Sequence, residues 1–309
     1  MALLFRSSPQ SAARWLPQLA RLLPDLEVRV HPDLGDRRDI RYALVWQPEA
    51  GLLASLPNLA LILSLGAGVD HILDDPSLPR HVPIVRLVDP HMTDMMTEHV
   101  ALQVLRLHRR DLDYSAQQRS RIWREHEQKN AAERRVGIMG LGALGMAVAG
   151  KLAELGFALA GWSRRPRADA GFESYGGREE LPRFLGRAEI LVCLLPLTAE
   201  TEGILDRNLF ARLPKGGFLV NVGRGAHLVE ADLLAALDEG RLAGAALDVF
   251  REEPLPKAHP FWRHPRIIVT PHIAAATHPP TAAPIFREAI ARFEAGLPVP
   301  NLVDPALGY

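Results

Sequence analysis

Three charged or titratable side chains, Arg224, Glu253 and His272, each follow a strand-like run in the second half of the 309-residue chain. Ligands of open parallel sheets bind outside the carboxyl ends of the strands, so we expect all three to face one site. A guanidinium can orient a carboxylate and polarise a carbonyl, while an imidazole held by a carboxylate can donate a proton near neutral pH. Together the three residues could bind a 2-oxo acid and protonate its carbonyl oxygen while a separate donor supplies the hydride. Taken singly, each is also compatible with an ordinary loop or surface role.

A glycine-rich loop lies between a strand-like run and a helical run near the middle of the chain. Gly140, Gly142 and Gly145 form the pattern G-x-G-x-x-G directly after residues 136–139 and before residues 146–153. In this context the first glycine allows a tight turn, the second lets the backbone approach a pyrophosphate, and the third allows close packing of helix on strand. The flanking elements favour dinucleotide binding over the alternative, a glycine turn with a purely structural role.

The residues after the next predicted strand, 158–162, bear on which dinucleotide binds. An NAD site would carry Asp or Glu there for the ribose hydroxyls, whereas this chain has Ser163, Arg164 and Arg165. A hydroxyl and two guanidinium groups can bind a 2′-phosphate, which an acidic side chain would repel. We therefore expect a preference for NADPH, with NADH still possible. The alternative is that both arginines are ordinary surface charges and that the protein accepts either cofactor.

The composition argues against several classes of function. Lys plus Arg and Asp plus Glu number 36 each, and this zero net charge argues against nucleic acid or an anionic membrane surface as a partner. Cys193 is the only cysteine and lies in an apolar run, which predicts a small buried side chain and excludes a disulfide within the chain. His126 has no second histidine at ligand spacing, so we expect no metal. Without a signal-peptide or membrane-span pattern, the expected location is the cytoplasm.

The elements that must position these residues follow a regular pattern. Short apolar runs alternate with amphipathic stretches along the chain, which is typical of βαβ units and parallel sheets. The length is about twice that of a typical domain, which favours two domains. The sequence therefore predicts an α/β protein with parallel strands, in two domains or, as the alternative, in one large α/β unit.

Several motifs together carry a resemblance that covers essentially the whole chain. They are residues 65–70 (LGAGVD), 140–145 (GLGALG), 162–164 (WSR), 195–198 (LPLT), 221–225 (NVGRG), 247–250 (LDVF), 253–256 (EPLP), 270–275 (TPHIAA) and the ending Gly308 and Tyr309. On these residues the chain resembles the D-isomer-specific 2-hydroxyacid dehydrogenases, and within them the glyoxylate/hydroxypyruvate reductases of the bacterial A type.

The resemblance implies both the architecture and the assembly. It implies two doubly wound parallel-sheet domains: a flavodoxin-like substrate-binding domain over residues 1–97 and 283–309, and a Rossmann NAD(P)-binding domain over 98–282. The substrate would bind in the cleft between the domains, and closure of the cleft would exclude water from hydride transfer. By family likeness, the protein would form a homodimer through the Rossmann domain.

The resemblance also implies the roles of individual residues. Arg224, Glu253 and His272 would be the catalytic residues. The implied cofactor-binding residues are Gly140, Gly142, Ala143, Leu144, Gly145, Ser163, Arg164, Arg165, Leu195, Pro196, Thr198, Val222 and Asp248. Asp248 would accept a hydrogen bond from the nicotinamide carboxamide, although a helix or turn cap is the alternative. The implied substrate-binding groups are Arg224, the backbone amides of Ala67 and Gly68, and Trp46 as a wall, although sequence alone equally allows Trp46 to be a core residue.

The implied activity is the NADPH-dependent reduction of glyoxylate to glycolate and of hydroxypyruvate to D-glycerate, with His272 as general acid. One departure is His278, where the reductase pattern has arginine, so the contacts of the substrate tail and the role of this second histidine stay open. Two alternatives remain: a broader reductase for larger apolar 2-oxo acids, and a non-catalytic dinucleotide-sensing binding protein. The intact Arg224, Glu253 and His272 argue against the second.

Overall fold

The computed structural model describes residues 1–304 and 307–308, so Tyr309 of the ending motif lies outside the described residues. The chain divides into two compact units. The smaller unit comprises Met1–Met92 and the described residues from Thr277 onward, and the larger unit comprises Thr93–Ala276. The sequence-based domain boundaries, at residues 97 and 282, fall a few residues later than both of these division points.

The smaller unit is built on a five-stranded parallel sheet. Its strands are β1 (Ala2–Arg6), β2 (Glu27–Val30), β3 (Ile40–Val45), β4 (Leu61–Ser64) and β5 (Ile84–Val85). They are ordered β2-β1-β3-β4-β5 and pair in parallel. This is the flavodoxin-like strand order, which confirms the predicted fold class for this unit.

The larger unit is built on a seven-stranded parallel sheet. Its strands are β6 (Arg135–Met139), β7 (Ala158–Ser163), β8 (Glu173–Gly176), β9 (Ile190–Cys193), β10 (Gly217–Asn221), β11 (Leu242–Leu247) and β12 (Ile267–Val269). Their order is β12-β11-β10-β9-β6-β7-β8, and all the pairs are parallel. The order reverses between β6 and β9, as in a Rossmann fold, and ligands of such sheets bind at this switch point.

The helices lie between strands along the chain, except the last helix, which follows the last strand. They are α1 (Pro9–Leu22), α2 (Asp70–Leu73), α3 (Pro90–His108), α4 (Asp111–Ser120), α5 (Ala143–Glu154), α6 (Gly177–Leu185), α7 (Arg207–Arg212), α8 (Glu230–Asp238) and α9 (Pro279–Glu294). Within the described ranges, no helix has the length and apolar character needed to cross a membrane.

The central strands of the larger unit are buried on both faces, which explains their continuous apolar runs. In β9, Ile190 and Val192 belong to one core, whereas Leu191 and Cys193 belong to the core on the opposite face. Cys193 is fully buried, as predicted, and burial raises the pKa of its thiol to about 12. This cysteine therefore packs as a small apolar residue and not as a reactive thiol.

Candidate active site

The glycine-rich loop, Gly140 to Gly145, follows β6 at the switch point and leads into α5. Gly140 has a φ of +100°, and a Cβ atom there would lie 2.6 Å from the Leu194 carbonyl oxygen. Its N–H donates to the Trp162 carbonyl at 2.8 Å. A Cβ atom at Gly145 would collide with the Gly140 carbonyl. Glycine is therefore required at both positions by the backbone itself.

Gly142 has a different environment from the other two glycines of the loop. A Cβ atom placed on it would meet nothing within 4 Å. Gly142 is the exposed N-cap residue of α5, where no side chain caps the first turn, and the next residue, Ala143, is also exposed. Open backbone N–H groups at a helix N-terminus suit a pyrophosphate. The loop therefore fits a dinucleotide, with open space where its backbone would approach the phosphates.

Strand β7 ends at Ser163, and basic side chains follow it. Arg164 and Arg165 are exposed, and Ser163 Oγ donates to the Arg165 carbonyl at 2.6 Å. Arg167, which the sequence analysis did not select, donates from Nη1 to a carbonyl of the glycine-rich loop at 3.0 Å and pairs with Asp169 at 2.7 Å. The basic run RRPR at residues 164–167 is the sequence feature that could have identified Arg167. The guanidinium of Arg167 therefore contacts the glycine-rich loop.

The imidazole of His272 and the carboxylate of Glu253 are hydrogen-bonded to each other. His272 Nδ1 lies 2.7 Å from Glu253 Oε2, while Glu253 Oε1 accepts from the Phe250 N–H at 2.9 Å. A carboxylate cannot donate, so Nδ1 carries the proton and Nε2 remains at the other side of the ring. The His272 side chain is 37% exposed. The hydrogen bond leaves Nε2 free of Glu253, and its role as a proton donor stays a prediction.

The backbone of His272 is held in a strained conformation. Its φ is 52°, in the left-handed region that non-glycine residues avoid. Asp248, at the end of β11, is buried and accepts hydrogen bonds from Thr270 Oγ1 at 2.6 Å and from the N–H groups of Ile273 and Ala274 at 3.0 and 2.8 Å. Asp248 therefore caps the turn that carries His272. Its predicted contact with a nicotinamide carboxamide stays a prediction.

Glu253 is held in its charged form by its surroundings. Burial acts to raise the pKa of its carboxyl, but the hydrogen bonds from His272 and from the Phe250 N–H and the charges of His272 and Arg224 outweigh it. The net result is a pKa below the ordinary value of 4.5.

A further histidine, His99 on α3, is affected by the charge of Asp248. Partial burial lowers the pKa of His99 more than the Asp248 charge raises it.

Arg224 follows β10 and is held by two buried residues that the sequence analysis did not select. Asn221 Nδ2 donates to the Arg224 carbonyl at 3.1 Å, and the Arg224 N–H donates to His227 Nδ1 at 3.0 Å. Because Nδ1 accepts, His227 Nε2 is the donor to the Pro196 carbonyl at 3.2 Å. His227 therefore connects the loop of Arg224 to the loop after β9. Sequence spacing gave no signal for this long-range link.

The loops after β9 and β10 carry the remaining predicted cofactor residues. Leu195 and Val222 are buried, whereas Pro196 and Thr198 are half-buried. Thr201 Oγ1 accepts from the Thr198 N–H at 2.9 Å and donates to the Pro196 carbonyl at 2.7 Å, which fixes the shape of the first loop. Since β6, β9 and β10 are neighbours, these residues lie at the same sheet edge as the glycine-rich loop.

In the smaller unit, the predicted substrate residues Trp46, Ala67 and Gly68 lie near one another. A Cβ atom on Gly66 would meet the Trp46 ring at 2.5 Å, so the indole packs directly on the loop that contains Ala67 and Gly68. The Trp46 ring also contacts the His71 ring, with 4.3 Å between centroids. Trp46 is half-buried, which differs from the fully buried core tryptophan that the sequence also allowed.

His278 belongs to the smaller unit, whereas His272 belongs to the larger one. His278 is the N-cap residue of α9, and its ring lies 4.5 Å from that of His91. No group of three or more His, Cys, Asp or Glu side chains within residues 1–304 and 307–308 could hold a metal ion.

Comparison with known proteins assigns the chain to a family. Residues 101–274 match the model of the D-isomer specific 2-hydroxyacid dehydrogenase, NAD binding domain. A protein of Yersinia enterocolitica named glyoxylate/hydroxypyruvate reductase A is 45% identical over 303 residues, which cover 96% of each chain. A protein of Serratia proteamaculans with the same name is 46% identical over 97% of each chain. The chain belongs to the D-isomer-specific 2-hydroxyacid dehydrogenase family, as the motifs predicted.

Solved structures agree with this assignment. A D-isomer specific 2-hydroxyacid dehydrogenase of Xanthobacter autotrophicus, in complex with NADPH and MES, has a TM-score of 0.95 at 45% identity and covers 100% of this chain and 99% of its own. An NADPH-dependent glyoxylate/hydroxypyruvate reductase of Sinorhizobium meliloti, in complex with NADP and sulfate, has a TM-score of 0.92 at 41% identity and covers 100% of both chains.

Proposed function

We propose that this chain reduces small 2-oxo acids with NADPH, converting glyoxylate to glycolate and hydroxypyruvate to D-glycerate. The observation that carries the proposal is the 2.7 Å hydrogen bond between His272 and Glu253, in the unit whose glycine-rich loop fits a dinucleotide. Relatives of 45 and 46% identity named glyoxylate/hydroxypyruvate reductase A support the choice of substrates. In this proposal the larger unit is the coenzyme domain and the smaller unit is the substrate domain.

The proposed cofactor site combines open backbone with exposed cations. The amides near Gly142, Ala143 and Leu144 would bind the pyrophosphate, and Gly140 and Gly145 would give the loop its shape. The hydroxyl of Ser163 and the guanidinium groups of Arg164 and Arg165 would bind the 2′-phosphate. The residues Leu195, Pro196, Thr198 and Val222 would line the ribose and nicotinamide portion, and Asp248 would accept from the carboxamide. When bound, NADPH supplies the hydride.

His272 is the proposed proton donor. As the carbonyl carbon accepts the hydride, Nε2 would give its proton to the carbonyl oxygen, which becomes the hydroxyl of the product. Glu253 Oε2 accepts a hydrogen bond from Nδ1, with 2.7 Å between the two atoms, so it orients the ring and stabilises its positive charge before transfer. The transfer leaves a neutral imidazole that can take up a proton from solvent through its exposed face.

The other proposed substrate contacts come from Arg224 and from the smaller unit. The Arg224 guanidinium would orient the substrate carboxylate and polarise its carbonyl. The Ala67 and Gly68 amides would donate to a carboxylate oxygen. Trp46, which packs on Gly66 beside these amides, would restrict the size of the substrate. These contacts favour two- and three-carbon acids.

A matrix of cofactors and substrates tests this proposal. Purified protein is assayed with NADPH and NADH against glyoxylate, hydroxypyruvate and phenylpyruvate. We expect the highest kcat/KM with NADPH and the two small acids. A higher kcat/KM on phenylpyruvate would favour a broader reductase for larger substrates. NADPH binding without oxidation in the presence of any 2-oxo acid would favour a non-catalytic dinucleotide sensor.

We further propose a homodimer that works in the cytoplasm. The dimer is supported by exposed apolar side chains on and after α3 and α4 in the larger unit: Leu102, Ile122 and Trp123, of which Trp123 is 96% exposed. Such side chains mark interaction surfaces on otherwise polar exteriors. The buried, unpaired Cys193 is in keeping with folding under reducing conditions. Sedimentation of wild type and Trp123→Arg would test the dimer, since a monomeric wild type contradicts it.

A further inference from the structure

The loop at residues 65–68 presents backbone N–H groups that the chain itself does not use. It follows β4, and its residues Ala67 and Gly68 are half-buried. In the part of the chain that the structure describes, neither the Ala67 nor the Gly68 N–H donates to any acceptor. Polar backbone groups in such positions are normally satisfied by protein, water or a ligand. The loop can therefore offer two donors to an anion.

Two side-chain hydroxyls form hydrogen bonds to opposite sides of one peptide group of this loop. Thr277, which lies just before α9, donates from Oγ1 to the Leu65 carbonyl at 2.7 Å. The Gly66 N–H, which belongs to the same peptide group, donates to Ser64 Oγ at 3.3 Å. A trans peptide group is planar, with its C=O and N–H pointing in opposite directions. The two bonds therefore fix the orientation of the Leu65–Gly66 peptide.

The neighbouring peptide groups are fixed from the interior of the smaller unit. The Leu87 N–H donates to the Gly66 carbonyl at 3.1 Å, so the Ala67 N–H of that peptide group must point the opposite way. Ser64 is fully buried, and its Oγ also donates to the Gly68 carbonyl at 3.1 Å. The Leu65, Gly66 and Gly68 carbonyls are thus held on both sides of the Ala67 and Gly68 amides, which have no acceptor within the described chain.

We propose that Ser64 and Thr277 are positioning residues that hold the Ala67 and Gly68 amides in the orientation needed to bind a substrate carboxylate. This inference rests on the proposed function, in which these amides bind the carboxylate. Neither residue touches the reacting atoms in this account. Their contribution is to keep the loop preorganised, so that binding does not include the loss of loop freedom. They should therefore affect the substrate KM more than kcat.

Thr277→Val provides the most direct test because it removes the hydroxyl and keeps the branched shape. Loss of one hydrogen bond should raise the KM for glyoxylate about three- to tenfold. We expect kcat and the KM for NADPH to stay within about twofold of wild type. Thr277→Ser should restore the wild-type KM, because it keeps the hydroxyl. Ser64→Ala should act in the same direction as Thr277→Val.

Ser55→Ala is a matched control in the same unit. Ser55 Oγ donates to the Leu52 carbonyl at 2.7 Å, the same kind of bond at the same length, but away from the loop. Its removal should leave the KM for glyoxylate unchanged. The thermal midpoint of each variant is measured in parallel. An equal KM rise in Ser55→Ala, an unchanged KM in Thr277→Val, or no rescue by Thr277→Ser would overturn the proposal.

A binding measurement separates this inference from the proposed function. Oxalate, an unreactive dicarboxylate, is titrated calorimetrically into the NADPH-loaded protein. Weaker oxalate binding to Thr277→Val than to wild type and Thr277→Ser supports the positioning role even if no 2-oxo acid is reduced, in which case only the proposed function fails. Equal oxalate binding to all three proteins contradicts the positioning role, whatever the turnover.

Discussion

The glycine-rich loop and the turn that carries His272 both follow carboxyl ends of strands in the larger unit, but they work in opposite ways. Gly140, with φ +100°, has no room for a side chain, because a Cβ atom would press on the Leu194 carbonyl. His272, with φ 52°, keeps a side chain in a similarly disfavoured region because three hydrogen bonds to the Asp248 carboxylate hold its turn. The first region depends on backbone that leaves no room for a side chain, and the second depends on a side chain held in place by hydrogen bonds.

This difference determines how substitutions in each region should affect the protein. A substitution in the glycine-rich loop changes shape, so its effect should not depend on the cofactor or on pH. A substitution at Ser163, Glu253 or His272 changes charge or hydrogen bonding, so its effect should depend on the ligand or on the protonation state. The predictions below test this division, from the largest effect to the smallest.

Gly145→Ala should have the largest effect on cofactor binding, because its Cβ atom would collide with the Gly140 carbonyl. We expect affinity for both NADPH and NADH to fall by at least about a hundredfold, together with a lower thermal midpoint, since overpacking costs about 1–3 kcal/mol. Fluorescence titration with both cofactors measures this. Gly150→Ala in the same helix, where a Cβ atom meets nothing within 4 Å, is the control and should keep wild-type affinity. A fall in affinity for only one of the two cofactors would contradict the prediction that this loop acts through its shape.

Ser163→Asp should have an intermediate effect that depends on the cofactor. The new carboxylate would repel a 2′-phosphate and accept hydrogen bonds from the ribose hydroxyls of NADH. Hydrogen bonds to charged groups contribute about 1.5–3 kcal/mol, so the NADPH-to-NADH ratio of kcat/KM should fall roughly ten- to a hundredfold. Ala168→Asp, at an exposed position in the same connection, should leave the ratio within about twofold. Unchanged selectivity in Ser163→Asp would count against the phosphate site.

Glu253→Gln should have the smallest effect. It should lower the stability of the folded protein at neutral pH but not at acidic pH. The folded-state pKa of Glu253 is lowered from 4.5, so its stabilisation is present above that pH and is lost as the pH falls through the folded-state value. Since about a third of the side chain is exposed, we expect less than about 1 kcal/mol at pH 7. Urea unfolding of wild type and variant from pH 3 to 7 measures this. A difference that is constant with pH would contradict the prediction.

The sequence predicted those features whose cause is local. The spacing of Gly140 and Gly145 reflects their close backbone approach within one strand–turn–helix unit, and the apolar runs of β6 and β9 reflect burial on both faces. Both causes leave a pattern in neighbouring residues. The two sheets and the family could therefore be predicted from the motifs, and the comparisons agree with them.

Features that depend on residues far apart in the sequence left no such pattern in neighbouring residues. Strand β8, with the polar sequence ESYG, pairs only with β7 at the sheet edge and lacks an apolar run. The hydrogen bonds of His227 to Pro196 and of Thr277 to Leu65 join residues 31 and 212 positions apart. Only the folded chain brings such partners together.

The central claim is that His272 donates the proton in an NADPH-dependent reduction, and His272→Gln tests it most directly. Steady-state turnover on glyoxylate is measured together with NADPH affinity by fluorescence titration, with His278→Gln as the control. Loss of a general acid should lower kcat by about 10²–10⁴-fold. We predict this loss in His272→Gln with NADPH affinity unchanged, and near-wild-type turnover in His278→Gln. Near-normal turnover in His272→Gln, or a comparable loss in His278→Gln alone, would contradict the account.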